Sequence, residues 1–211
     1  MSQLVPNLNN VVPLPLEDRP GLGQSAIWTH NWTLNAGERV FIQAPSGTGK
    51  TTLIHLLYGL RTDFRGTLEW QGGQQSWEQL RRNELSIVFQ DLRLFPELTL
   101  MENIEVKRVL NSSVSPSQIE EWLKHLDIFH KKNALAATLS YGEKQRAAIC
   151  RALVQPFSWL LMDEPFSHLD RHNTALAIEL IKNRFSELNA GLILADLDEN
   201  TYFDYNKTFH L

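Results

Sequence analysis

The residues from Ala44 to Thr51 have the types and spacing to hold phosphate. They read Ala44-Pro45-Ser46-Gly47-Thr48-Gly49-Lys50-Thr51, after the apolar run Val40-Phe41-Ile42. The pattern is that of a phosphate loop, G-x-x-x-x-G-K-[ST], set between a strand and a helix. Small residues let the backbone N–H groups of Ser46, Gly47, Thr48 and Gly49 wrap an anion. The N-terminus of the following helix, at Thr51 and Thr52, adds its positive dipole end. Lys50 can reach the β- and γ-phosphates of a nucleoside triphosphate, and the Thr51 hydroxyl can hold Mg²⁺. Ala44 replaces the first glycine, which serves if φ is negative there. The competing reading is a Gly-rich turn that binds nothing.

A second set of acids follows the run Trp159-Leu160-Leu161-Met162, in Asp163-Glu164-Pro165. Four apolar residues closed by an aspartate resemble the second nucleotide motif of phosphate-loop ATPases, whose aspartate supports Mg²⁺ from a strand tip. Glu164 can then polarise the attacking water. Taken alone, such a run also fits an ordinary strand ending in a solvated acidic turn.

These groups need elements to hold them. Arg39–Gln43 predicts a strand and Thr51–Leu60 a helix. Gly66–Trp70, Leu85–Phe89, Trp159–Met162 and Leu192–Ala195 predict further strands. The last two are uninterrupted apolar runs, as buried parallel strands require. Residues 1–25 are rich in Pro, Asn and Gly, with one strand expected near Val11–Leu16. Ser115-Pro116-Ser117-Gln118 is a helix start, after which Ile119, Trp122, Leu123 and Leu126 share one face. A long helix should follow Tyr141, and Ala177, Leu180 and Ile181 mark another. Strands alternating with helices give an α/β fold with a mostly parallel sheet. The helical stretch from Glu97 to Ser140 interrupts that alternation as an inserted lobe.

Composition narrows the partners. The net charge of −4 over 211 residues gives no basic footprint for nucleic acid. Cys150 is the only cysteine, which excludes an internal disulfide and fits a reducing compartment. No run approaches the roughly 18 apolar residues of a membrane span, and Met1–Asn10 lacks the features of a signal peptide. The expectation is a cytoplasmic protein that meets a membrane only through a partner.

Leu139-Ser140-Tyr141-Gly142-Glu143-Lys144-Gln145-Arg146 resembles the signature motif of ATP-binding cassette proteins, usually LSGGQ followed by QR. Gln90 matches the family's Q-loop glutamine, and Ser167-His168-Leu169-Asp170 its D-loop. These motifs are collinear with the phosphate loop and Asp163-Glu164, over nearly the whole chain from Ala26 onward. Phe89 to Thr99, followed by Glu102-Asn103, is similar to a stretch frequent in the bacterial branch of lipoprotein-release, macrolide-export and division-site ATPases.

The resemblance implies one cassette domain over residues 1–211. Residues 1–90 and 141–211 form the nucleotide-binding core with a small antiparallel β subdomain, and 91–140 a helical subdomain. It implies ATP and Mg²⁺ as cofactors, with Thr51, Gln90 and Asp163 as metal ligands and Glu164 and Gln90 as catalytic groups. Two copies close head to tail, and Ser140 and Gly142 of one bind the γ-phosphate held by Lys50 of the other. The 91–103 region, near Leu94, Phe95 and Leu98, receives a helix of a polytopic membrane protein. Core packing is an equal reading for any one of those three.

The family pattern breaks at Asp196, in Leu194-Ala195-Asp196-Leu197-Asp198, where a histidine is usual. Histidine can donate a hydrogen bond to the γ-phosphate, whereas ionised aspartate only accepts. His168 is a candidate substitute, and Trp28 and Trp32 are candidates to stack on adenine, with surface or core packing the competing role for either. Three functions follow: the ATPase of a membrane export or extraction complex, a slowly hydrolysing ATP-dependent switch on a membrane partner, or a soluble cassette acting on nucleic acid or ribosomes. A single cassette without coiled-coil arms or basic balance argues against the third.

Overall fold

A computed structural model describes residues 4–72, 76–111 and 114–211. Its strands are β1 (Val5–Pro13), β2 (Asn31–Thr33), β3 (Arg39–Gln43), β4 (Phe64–Gln71), β5 (Leu85–Val88), β6 (Trp159–Asp163), β7 (Gly191–Asp196) and β8 (Lys207–His210). Its α-helices are α1 (Lys50–Leu57), α2 (Trp77–Asn83), α3 (Leu100–Arg108), α4 (Pro116–His125), α5 (Tyr141–Leu153) and α6 (Arg171–Leu188).

The main sheet has the order β5-β6-β7-β3-β8 and every pairing in it is parallel. Helices cover both faces, so its central strands are apolar on both sides. Along β6 the side chains alternate between two cores. Trp159 and Leu161 join Ile42, Ile193 and the buried face of α1, while Leu160 and Met162 join Phe41, Leu192, Leu194 and helices α3 to α6. The separate three-stranded sheet, β2-β1-β4, is antiparallel and packs on the α1 side.

Several boundaries differ from the sequence reading, each for a local reason. The first strand is Val5–Pro13, not Val11–Leu16; Pro15 has no N–H for a ladder, and Leu14–Leu16 coils into a 3₁₀ turn. Helix α1 stops at Leu57 rather than Leu60. Gly59 takes φ of 69°, and the Leu60 N–H returns to the His55 carbonyl in a glycine-capped helix end. β5 ends at Val88, one residue before Phe89. Short β2 and α2 carry too little periodicity to be read in advance, and β8 extends the sheet beyond the expected last strand.

The inserted helices follow their start signals. Ser115 caps α4, and Ile119, Trp122 and Leu123 are buried on its inner face with Leu126 just beyond its end. Thr99 and Glu102 form a capping box at α3. Asn103, fully buried, accepts from the Phe95 N–H at 2.7 Å and donates to the Phe95 and Thr99 carbonyls at 3.0 and 2.9 Å. One side chain therefore fixes the loop ahead of the helix.

Candidate nucleotide-binding site

β3 delivers the chain into the loop, and α1 leaves it. Ala44 stays out of the left-handed region, so its Cβ is tolerated where glycine is usual, and its N–H donates to the Asp196 carbonyl at 3.1 Å. Gly47 and Gly49 take φ of 78° and 113°, conformations that side chains rarely adopt. A Cβ on Gly49 would also come within 2.8 Å of Leu16. The loop encloses a cavity of about 180 Å³ lined by Leu16, Ser46, Gly47, Gly49, Lys50, Thr51, Thr52, Gln90 and Glu164. Thr48 points to the far side, where its hydroxyl donates to the Pro45 carbonyl at 2.8 Å and its side lines a second cavity beside Trp28.

Lys50 is 5% exposed and internally satisfied. Its ammonium donates to the Ala44 and Pro45 carbonyls at 2.8 and 3.1 Å and lies 3.3 Å from Glu164 Oε1. The Thr51 hydroxyl donates to Gln90 Oε1 at 3.0 Å, joining α1 to the end of β5. Glu164 follows β6 in the left-handed region, φ 47°, with its N–H on the Ala195 carbonyl at 2.9 Å. A non-glycine residue held there is uncommon, and strain of this kind concentrates at functional sites.

Asp163 lies beneath this cavity. Both carboxylate oxygens are buried without a hydrogen-bond partner. Burial pushes its pKa up to about 6, with Glu164 and Asp196 adding to the rise while the neighbouring Thr51 hydroxyl and Lys50 oppose it. A buried carboxyl with two orphaned oxygens beside a threonine hydroxyl and a glutamine amide is a set of oxygen donors fit for a hard divalent cation. Asp196, at the end of β7, is also raised, chiefly by burial; the Leu197 N–H, donating to Oδ1 at 2.8 Å, pulls it back.

Two candidate roles find no support in the geometry. Trp28 and Trp32 are 1% and 7% exposed core residues, so neither offers a face for a nucleobase. His168 lines no part of the loop cavity; its ring packs edge-on against Tyr141. Ser140 and Gly142, which the family resemblance assigns to the nucleotide of a second copy, also lie outside that cavity. They sit at the N-terminus of α5, with Ser140 exposed and its hydroxyl accepting from the Glu143 N–H.

Sequence reasoning passed over Leu16, which closes one side of the cavity, and Arg19, which donates to the Gly47 carbonyl. Both come from a segment without periodicity. It also passed over Gln145, buried in α5, which donates to the Glu164 carbonyl at 3.3 Å and accepts from the His168 N–H at 3.2 Å.

Residues 28–167 match the family model described as ABC transporter. This chain belongs to the ABC transporter family. The cassette is 35% identical, over 80% of its length and 79% of the relative's, to the lipoprotein-releasing system ATP-binding protein LolD of Psychrobacter arcticus. It is 34% identical to the aliphatic sulfonates import ATP-binding protein SsuB of Bacillus thuringiensis, over 82% of this chain and 68% of the relative. Among solved structures it resembles a dimeric bacterial ABC transporter cassette, with TM-score 0.74 and 25% identity over 90% of this chain and 87% of that one. It also resembles a bacterial Atm1-family ABC exporter with ATP bound, with TM-score 0.80 and 26% identity over the whole chain and 37% of the exporter. The cassette is accordingly an ATP-binding, ATP-hydrolysing chain of the ABC type. Among the described residues, no helix is long and apolar enough to cross a membrane.

Proposed function

We propose that this cassette works as a head-to-tail dimer beneath a polytopic membrane protein, coupling ATP binding and hydrolysis to export or extraction of a substrate. The observation that carries the reading is the separation of its two half-sites. Lys50, Thr51, Gln90 and Glu164 gather around one cavity, whereas Ser140 and Gly142 stand on the N-terminus of another helix, outside it. A second copy supplies what each cavity lacks. ATP closes the pair because its γ-phosphate bridges Lys50 of one chain and Ser140 of the other, and hydrolysis removes the bridge.

In this reading Lys50 exchanges its bonds to Glu164 and the loop carbonyls for phosphate oxygens, which frees Glu164 to accept a proton from the attacking water. Thr51, Gln90 and Asp163 hold Mg²⁺, which supplies charge neutralisation at the phosphate oxygens. Its binding also favours the ionised form of Asp163. Ser46, Gly47, Thr48 and Gly49 orient the phosphates, and Thr52 lies at the start of α1. The core, 1–90 and 141–211, and the helical subdomain, 91–140, meet at Gln90.

The membrane partner docks at the 91–103 region. A groove of about 170 Å³ there is lined by Phe89, Arg93, Phe95, Val106, Lys107 and Arg151. Phe95 is 49% exposed, and Lys107 has no acidic partner among the described residues. Burial lowers Lys107 to about 8, with Arg151 and Arg81 adding to the shift. Arg93 is paired with Asp91 at 3.3 Å, but an apolar groove with Lys107 left without an acidic partner among the described residues suits a helix carrying both apolar and acidic side chains. The LolD relatives are ATP-binding proteins of lipoprotein-releasing systems, which favours extraction of a lipid-anchored substrate. The cassette then lies on the cytoplasmic face, peripheral to the membrane, with no nucleic acid as partner.

Asp196 supports a second reading, a slowly hydrolysing switch. A half-buried carboxyl in place of a donor near the γ-phosphate provides repulsion or, if protonated, one weak donor. Affinity purification of the tagged cassette from detergent-solubilised membranes tests both. Export or extraction expects a polytopic membrane protein in the eluate and steady phosphate release by the complex. Co-purification with negligible turnover selects the switch, and recovery with RNA or ribosomes instead rejects both.

A further inference from the structure

Tyr141 stands where the family signature usually has a glycine, and its side chain joins three segments. Its hydroxyl donates to the Gln90 carbonyl at 3.0 Å. Its ring lies edge-on to His168, with centroids 4.2 Å apart and planes at 61°. Its own backbone begins α5, next to Gly142, whose backbone lies so close to the following loop that an added Cβ would sit 3.3 Å from the His168 carbonyl. Gln90 is therefore held at both ends: Thr51 donates to its side-chain oxygen and Tyr141 to its main-chain oxygen. His168 is held twice as well, through its ring by Tyr141 and through its N–H by Gln145, which also donates to the Glu164 carbonyl.

We propose that Tyr141 is a positioning residue for ATP hydrolysis, keeping Gln90 and the loop at His168 in register with the N-terminus of α5. Within its own chain it lies outside the cavity around the phosphate loop, so it reaches that chain's reacting groups through Gln90 and the Gln145–Glu164 connection. Residues of the loop and α1 bind the nucleotide in the same chain, and Tyr141 touches none of them. Its removal should accordingly lower kcat and leave KM alone, because a misplaced Gln90 misorients water and metal without loosening the phosphates. A glycine at this position, the family's usual residue, has neither the hydroxyl nor the ring. The coupling is a property of this chain's own sequence.

The proposal rests on the assignment of Gln90 and Glu164 to hydrolysis, and the experiment separates the two. Steady-state ATPase rates and thermal melts are measured for the native cassette, Tyr141→Phe, Tyr141→Leu and Glu164→Gln. Loss of the hydroxyl alone should lower kcat about fivefold, with KM within about twofold and the melting temperature lowered by no more than about 4 °C, the effect of one neutral hydrogen bond. Tyr141→Leu, which also removes the ring contact, should lower kcat further, again without moving KM. Native kcat in Tyr141→Phe, or a loss confined to KM, overturns the proposal. So does a fall in kcat that merely follows a lower melting temperature and is no deeper in Tyr141→Leu. If Glu164→Gln turns over at the native rate, the site assignment itself fails; if it is inactive while Tyr141→Phe is native, only the role of Tyr141 fails.

Discussion

The proposed dimer uses two helix N-termini, those of α1 and α5, and they are built differently. α1 starts from Gly49 in the left-handed region with no side chain capping it, and its first residue is a buried lysine. α5 starts from Ser140 with a complete capping box, in which Glu143 answers Ser140 in both directions. An uncapped N-terminus leaves backbone donors for a ligand, whereas a capping box satisfies them from within the chain. The end of α1 is thus a receptor that waits for an anion. The end of α5 is stable as a surface by itself and is presented outward. On the proposed dimer, the difference lets one chain carry both parts of a nucleotide site without assembling either site alone.

Changes at the α1 end should have the largest effects. Lys50→Ala should abolish tight ATP binding, since charge-assisted bonds to phosphate are worth roughly 1.5–3 kcal/mol each. Titration with a fluorescent ATP analogue checks this, and unchanged affinity would break the comparison at its stronger side. Glu164→Gln should reduce turnover by about 10²–10⁴, the usual contribution of a positioned general base. It should also tighten ATP binding severalfold, because Lys50 loses the carboxylate 3.3 Å away that competes for it.

Asp163→Asn should separate stability from function. A carboxyl whose pKa is raised on folding, here to about 6, weakens the fold as pH climbs from its unfolded value through that point. The variant should therefore melt higher than the native cassette above pH 6, by up to ~3 kcal/mol, with the gap closing toward pH 4. Mg²⁺-dependent hydrolysis should be lost over the same range. Equal melting curves at pH 5 and pH 8 would show that the buried acid carries no such penalty.

Ser140→Ala is the smaller change at the other end. It should cost about 1 kcal/mol of stability as a lost cap and leave ATP binding by the isolated chain unaltered. A large fall in that affinity would mean that α5 completes the cavity within one chain. Asp196→His should raise phosphate release only modestly, because a new donor without supporting contacts rarely reaches its full effect. A native rate already typical of ABC ATPases, and not improved by histidine, would remove the slow-switch reading.

The contrast also marks what the sequence discloses. Ala44 to Thr51 is legible because local geometry suffices: a strand, glycines with positive φ, and a lysine. The parallel strands are legible because burial on both faces leaves uninterrupted apolar runs such as Trp159–Met162. Leu16 and Arg19 reach the loop from a segment bent by Pro13, Pro15 and Gly21, and nothing in its pattern indicates where it folds back. The type of Trp28 and Trp32 fits either a nucleobase platform or core packing, and the fold decides for the core by burying both. Side-chain bridges such as Tyr141 to Gln90, residues 51 apart, are likewise tertiary and leave no spacing signal.

Size-exclusion chromatography of Glu164→Gln with Mg-ATP tests the central claim, that each nucleotide is enclosed by two copies of the chain. The account predicts elution at the mass of a dimer with ATP and of a monomer without it. Adding Ser140→Arg to the same background should return the ATP-bound protein to a monomer. A Glu164→Gln protein that binds ATP yet stays monomeric, or a dimer indifferent to Ser140→Arg, would contradict it.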